Sequence, residues 1–119
     1  MATVALEHVS VRHDAVLLLD DVNLIVGDGE MIGVVGASGA GKTTLVDTLL
    51  GLVKPRSGTV MIDGLNLEAI SLPSWRNRVA YVPQEVFLFN DSIRNNITWG
   101  DGAVAQDRLE RVTRLSQAH

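Results

Sequence analysis

The run Gly36-Ala37-Ser38-Gly39-Ala40-Gly41-Lys42-Thr43 meets every fixed position of the spacing G-x-x-x-x-G-K-[ST]. The chemistry this spacing serves is polyphosphate binding. A phosphate chain needs many donors converging on a small volume. Glycines let backbone N–H groups turn inward with no Cβ in the way. The start of a helix adds the positive end of its dipole. Lys42 supplies a cation for the β- and γ-phosphates. Thr43 offers a hydroxyl to Mg²⁺, and Thr44 supports the α-phosphate side. The other reading of these residues is a glycine turn before a helix with a merely solvated lysine.

The flanking elements must position that loop. Met31 to Val35 is apolar apart from Gly33 and reads as a strand buried on both faces. Lys42 to Leu50 reads as a helix, with Leu45, Val46, Leu49 and Leu50 at helical spacing and Gly51 as its stop. Upstream, Thr3 to Val11 alternates imperfectly. Leu17 to Leu19 and Val22 to Val26 are apolar segments parted by Asp20 and Asp21, and Gly27-Asp28-Gly29 marks a turn. These predict a small antiparallel sheet. Downstream, Thr59 to Ile62 is a short strand followed by the hairpin signal Asp63-Gly64. Ser71 caps a short helical turn to Arg76, Val79 to Val82 is a strand stopped by Pro83, and Ser92 to Ile97 is one helical turn. Ala105, Leu109, Val112 and Leu115 fall on one face of a last helix that runs to the end of the chain.

Composition narrows the classes. The chain has 119 residues, 46% of them hydrophobic and 20% charged, which is a globular mixture. The net charge of −4 gives no overall field for nucleic acid, so no nucleic-acid partner is expected. With no cysteine, disulfides, thiolate zinc sites and cysteine nucleophiles are excluded. No apolar run approaches the ~18 residues of a membrane span. The opening MATVALEHVS does not read as a secretory signal.

Three further segments carry a family resemblance. One is Leu6-Glu7-His8-Val9-Ser10-Val11, followed by Leu19-Asp20-Asp21-Val22-Asn23-Leu24 and Gly29-Glu30. The second is Gly58-Thr59-Val60-Met61-Ile62-Asp63-Gly64, and the third runs from Val79 to Phe89 through Pro83-Gln84. With the phosphate loop, they make the chain resemble the N-terminal half of an ATP-binding-cassette (ABC) transporter ATPase domain from about Thr3 onward. The stretch Leu88 to Ile97 is similar to exporter-type members.

The resemblance implies an α/β fold: a P-loop NTPase core of the ABC ATPase type with an N-terminal antiparallel β-subdomain, truncated within the helical subdomain. On it, residues 1–30 are mainly β-subdomain, 31–84 the phosphate-loop core through the Q-loop, and 85–119 the start of the helical subdomain. It implies ATP and Mg²⁺ as ligands, with Gly36, Ala37, Ser38, Gly39, Ala40, Gly41, Lys42, Thr43 and Thr44 around the nucleotide. Gln84 takes the Q-loop position, beside Mg²⁺ or the attacking water, making Lys42 and Gln84 the catalytic pair and Thr43 and Gln84 the metal contacts. A plain polar residue ending a strand is the other reading of Gln84.

His13 falls where the family usually has an aromatic side chain, most often tyrosine, stacked on adenine. The alternative is an exposed turn histidine. Val16 packs on the base edge or in the core. Phe87, Leu88 and Phe89 form an apolar strip toward a membrane domain, or are core residues. Val60-Met61-Ile62-Asp63 looks like the Walker B run and its aspartate. Gly64 follows where an acid belongs, so an Asp-Gly turn explains Asp63 better.

The implied partners are a transmembrane domain, fused or separate, and a second ATP-binding domain met head to tail, at the cytoplasmic face of a membrane. The implied function is ATP binding, and hydrolysis in the intact protein, powering export. Other expectations to weigh are an importer-type subunit, a soluble ABC-type ATPase acting on DNA or ribosomes, and a non-catalytic nucleotide-binding module. The sequence has no LSGGQ-like signature, no apolar strand ending in Asp-Glu, and no switch histidine, His119 being simply the last residue. The expectation is a fragment with little or no hydrolysis and low stability.

Overall fold

The computed structural model describes residues 3–118, and the chain divides into two compact units, Met1–Tyr81 and Val82–His119. In the first unit, strands β1 (Val4–His13) and β2 (Val16–Val26) form a hairpin. β3 (Ser57–Ile62) pairs antiparallel with the other edge of β1, and short β4 (Leu65–Asn66) pairs with β3, giving the order β2-β1-β3-β4.

The imperfect alternation of β1 is a bulge. Leu6, Val9 and Val11 are buried, while Glu7 and His8 are both exposed, because His8 sits at φ 51° and shifts the register between Leu6 and Val9. β2 runs unbroken through Asp20 and Asp21, where two segments were expected. Asp21, at φ 47°, gives its N–H to Ser10 Oγ (2.9 Å), and its carboxylate meets His8 Nδ1 (2.7 Å) on the exposed side. Gly58, at φ 83°, lets β3 approach the bulge: a Cβ there would lie 2.1 Å from the His8 carbonyl oxygen.

Helix α1 (Lys42–Leu49) and helix α2 (Leu72–Arg76) belong to the same unit. Leu6, Val9, Val11, Leu19, Val60, Ile62, Leu67 and Trp75 form its core, with Leu45 and Leu49 of α1 packed against it. Asp63 and Gly64 make the β3–β4 turn, both at positive φ. The Asp63 carboxylate accepts from Thr3 N–H at 2.7 Å, so it closes the sheet end as a turn residue.

Two strand expectations fail. Met31–Val35 and Val79–Val82 are not strands, and Met31 and Val35 are 98% and 97% exposed. A strand buried on both faces takes its ladder from neighbours on each side. Among the described residues the strands pair only with one another, so the Met31–Val35 run has no ladder partner for its backbone.

In the second unit, α3 (Ile93–Thr98) is capped by Ser92, whose Oγ accepts from Asn95 N–H at 3.1 Å. α4 (Gln106–Leu115) buries Leu109. The helix stops at Leu115 and does not run on to the end: Ser116 is its cap, and Gln117 is at φ 58°. His119 lies outside the described residues.

Candidate functional site: the phosphate loop

The loop is shaped by its own backbone. Ala40 N–H donates to Ala37 O (3.1 Å) across a turn whose third residue, Gly39, is at φ 82°. Gly41, at φ 99°, then leads into α1, and a Cβ there would lie 2.8 Å from Leu18 O of β2. Only glycine allows both that φ and that approach. The loop is thereby seated against the sheet at Leu18.

Above the loop, Lys42 Nζ donates to Gly36 O and, at 3.0 Å, to Ala37 O. The ammonium therefore closes the loop into a ring. The first helical N–H with a partner is that of Leu45, bonded to Gly41 O at 2.9 Å. Among the described residues, the N–H groups of Ser38, Gly39, Gly41, Lys42, Thr43 and Thr44 donate to no protein acceptor. No side chain caps α1. The unpaired N–H groups, the helix dipole and the ammonium gather positive charge on this loop, which fits an anion rich in acceptors. The exposed Thr43 hydroxyl stands beside it, an oxygen ligand of the kind Mg²⁺ takes. No group of three or more His, Cys, Asp or Glu side chains among the described residues makes a separate metal cluster.

His13 and Val16 face each other as the last pair of the β1–β2 ladder, two residues from Leu18. The topology thus brings both to the hairpin end of the strand against which the loop is seated. Asp14, at φ 52°, turns the hairpin, and its carboxylate lies 3.7 Å from His13 Nε2. The imidazole is exposed, and Val16 is 59% exposed, which removes the core reading for Val16.

Gln84 belongs to the second unit, exposed on an irregular segment after Pro83. Phe87, Leu88 and Phe89 are exposed too, so they are not core residues. The rings of Phe87 and Phe89 meet edge to face at 5.2 Å, and Phe89 meets Trp99 at 5.4 Å. Trp99 was missed from the sequence, because its place beside Phe89 depends on the αL turn at φ 57° that ends α3.

Also invisible to local spacing is the clamp on the far end of α1. Trp75 Nε1 donates to Leu49 O (2.8 Å), and Arg76 donates through Nε to Leu50 O (3.1 Å) and through Nη2 to Gly51 O (3.2 Å). A cavity of about 490 Å³ lies elsewhere in this unit, lined by Val53, Val60, Leu67, Ile70 and Leu72 among others. It includes no loop residue, and its mainly apolar lining does not suit a phosphate chain.

A sequence profile of the ABC transporter family matches residues 4–119. The chain belongs to the ABC transporter family. It is 42% identical over 119 residues to the toxin RTX-III translocation ATP-binding protein of Actinobacillus pleuropneumoniae, an alignment covering 98% of this chain and 17% of that protein. It is 46% identical over 98 residues to the ATP-dependent lipid A-core flippase of Burkholderia pseudomallei strain 1710b, covering 82% of this chain and 16% of that protein. A solved bacterial Atm1-family ABC exporter with ATP bound superposes with a TM-score of 0.87 at 29% identity, over 94% of this chain and 20% of that one. The chain thus spans about a sixth of the length of these curated relatives. The antiparallel sheet with the loop and α1 has the fold of the ABC-type P-loop NTPase, and the nearby relatives are of exporter type.

Proposed function

We propose that this chain forms the ATP-binding part of an exporter-type ABC transporter ATPase. The observation that carries the proposal is the set of N–H groups of Ser38, Gly39, Gly41, Lys42, Thr43 and Thr44 that donate to no protein acceptor, on the loop whose carbonyls hold the Lys42 ammonium. The backbone donors around Gly36 to Gly41 hold the phosphates, and Lys42 exchanges its loop carbonyls for the β- and γ-phosphate oxygens. Thr43 holds Mg²⁺, which supplies charge neutralisation at the phosphates when bound. Thr44 serves the α-phosphate side. His13 stacks on the adenine and Val16 lies at its edge. For Gln84, contact with Mg²⁺ or the attacking water rests on its motif position alone.

In the whole transporter, ATP hydrolysis would power export at the cytoplasmic face of a membrane. A second ATP-binding domain would meet this one head to tail. The exposed strip Phe87, Leu88, Phe89 with Trp99 would receive the membrane domain. The segmentation into residues 1–30, 31–84 and 85–119 belongs to this same reading. The names of the relatives, a translocation protein and a flippase, favour export over import. No helix among the described residues is long and apolar enough to cross a membrane, so the span would come from another segment or chain.

Isothermal titration of the chain with Mg-ATP tests the binding claim. Lys42→Ala removes a charge-assisted contact of about 1.5–3 kcal/mol, so Kd should rise by about tenfold or more. Equal affinity of the two proteins would sink the proposal.

A further inference from the structure

We infer that Trp75 and Arg76 are positioning residues for the phosphate site, acting through α1. The inference rests on the reading that the loop binds ATP. Helix α1 has eight residues and is about 12 Å long. A helix so short moves as a rigid rod, so what holds its C-terminus also aims the N–H groups of its N-terminus.

The two ends are held differently. At the N-terminal end, Gly41 rests against Leu18 O and the N–H groups of Lys42, Thr43 and Thr44 remain unpaired. The carbonyls that close the other end would be orphans. Three consecutive ones, of Leu49, Leu50 and Gly51, are taken by donors from two adjacent residues of α2. The guanidinium places its positive charge at the negative end of the helix dipole. Trp75 is 7% exposed and belongs to the core cluster with Leu6, Val60 and Ile62. Its ring thus ties the end of α1 to the sheet, while its N–H fixes the height of the helix. An anion drawing on the free N–H groups pulls along the axis of α1, and the indole at the other end feels that pull.

The experiment uses the chain labelled with fluorotryptophan, observed by fluorine NMR, with Trp75→Phe assigning the Trp75 signal. Mg-ATP should shift the Trp75 resonance in the wild type, and should shift it less in Lys42→Ala at the same concentration near the wild-type Kd. By titration at a temperature where circular dichroism shows each protein folded, Arg76→Ala should bind Mg-ATP about fivefold to tenfold more weakly, less than the full value of a charged hydrogen bond because the lost bond lies within the protein and reaches the ligand only through α1. Arg76→Lys, which keeps the charge without the fork, should recover part of the loss. A purely structural role would lower the unfolding midpoint and leave the affinity of the folded protein unchanged. The inference is overturned if Arg76→Ala and Trp75→Phe bind Mg-ATP within twofold of wild type, or if saturating Mg-ATP leaves the Trp75 resonance in place. Should Arg76→Ala fail to fold, Arg76→Lys and the wild-type fluorine signal decide by the same criteria. If the wild type binds no Mg-ATP, the ATP reading itself fails and this inference falls with it. Binding by the wild type with indifferent variants overturns the inference alone.

Discussion

Lys42 holds the carbonyls of Gly36 and Ala37, and on the proposed reading an arriving phosphate would compete for the same ammonium. The exchange is favourable because a phosphate oxygen carries charge and a carbonyl does not. Gly41 and Gly39 separate two kinds of glycine. Both have positive φ, but only Gly41 has a neighbour, Leu18 O, where a Cβ would sit. Gly41→Ala should therefore cost about 1–3 kcal/mol in backbone strain and also push the loop off β2, while Gly39→Ala carries the strain alone. Urea unfolding followed by Trp75 emission should rank Gly41→Ala as the less stable of the two. The loop motif was fully legible in the sequence, because its spacing is local. The arch formed by Lys42 was not, because a lysine has many rotamers and the sequence names no partner for it.

Helix α3 is governed by the side chains around its start. Asn96 accepts from Phe89 N–H at 2.7 Å and donates to the carbonyls of Phe89, Asp91 and Ser92 at 3.1, 3.3 and 2.9 Å. One amide therefore fixes the turn that carries Phe89 against Trp99. Asn96→Ala should release the Phe89 amide to hydrogen exchange and weaken the aromatic contact, seen as loss of ring-current shifts at Trp99. Asp91 adds a pH dependence. The Ser92 backbone N–H and the Asn95 side-chain amide hold its carboxyl below the ordinary aspartate value. A lowered folded pKa means the stabilisation is complete above the unfolded value of about 4 and is lost as pH falls through the folded one. An NMR titration should show the first turn of α3 loosening only on that acid side. The helical turn at Ser92 to Ile97 was readable from the sequence, whereas the cap read at Ser71 makes no side-chain bond to α2; the Asn96 clamp was not readable, since an asparagine inside a helix has several possible partners. The strand at Met31–Val35 was misread for a different reason. Its apolar run states that both faces seek cover, but the ladder belongs to whichever strands lie alongside.

At the scale of the molecule, the first unit has a small sheet-centred core, and an apolar run remains in water beside it. Calorimetry should show a broad thermal unfolding with a low midpoint; a sharp transition at high temperature would contradict this. The 119 residues contain no LSGGQ-like run and no Asp-Glu pair, and the proposed reading assigns hydrolysis to the intact protein. Steady ATP turnover by the chain should match that of Lys42→Ala. The family was legible because its motifs are short and ordered along the chain. The tie between α1 and α2 was not, because it joins residues 25 or 26 positions apart.

The most direct test of the central claim is an amide NMR titration of the chain with Mg-ATP. The account predicts that the N–H signals of Ser38, Gly39, Gly41, Lys42, Thr43 and Thr44 shift first and become protected from exchange. Shifts confined to residues lining the cavity at Val53, Val60 and Leu67, with the loop amides unmoved, would contradict it.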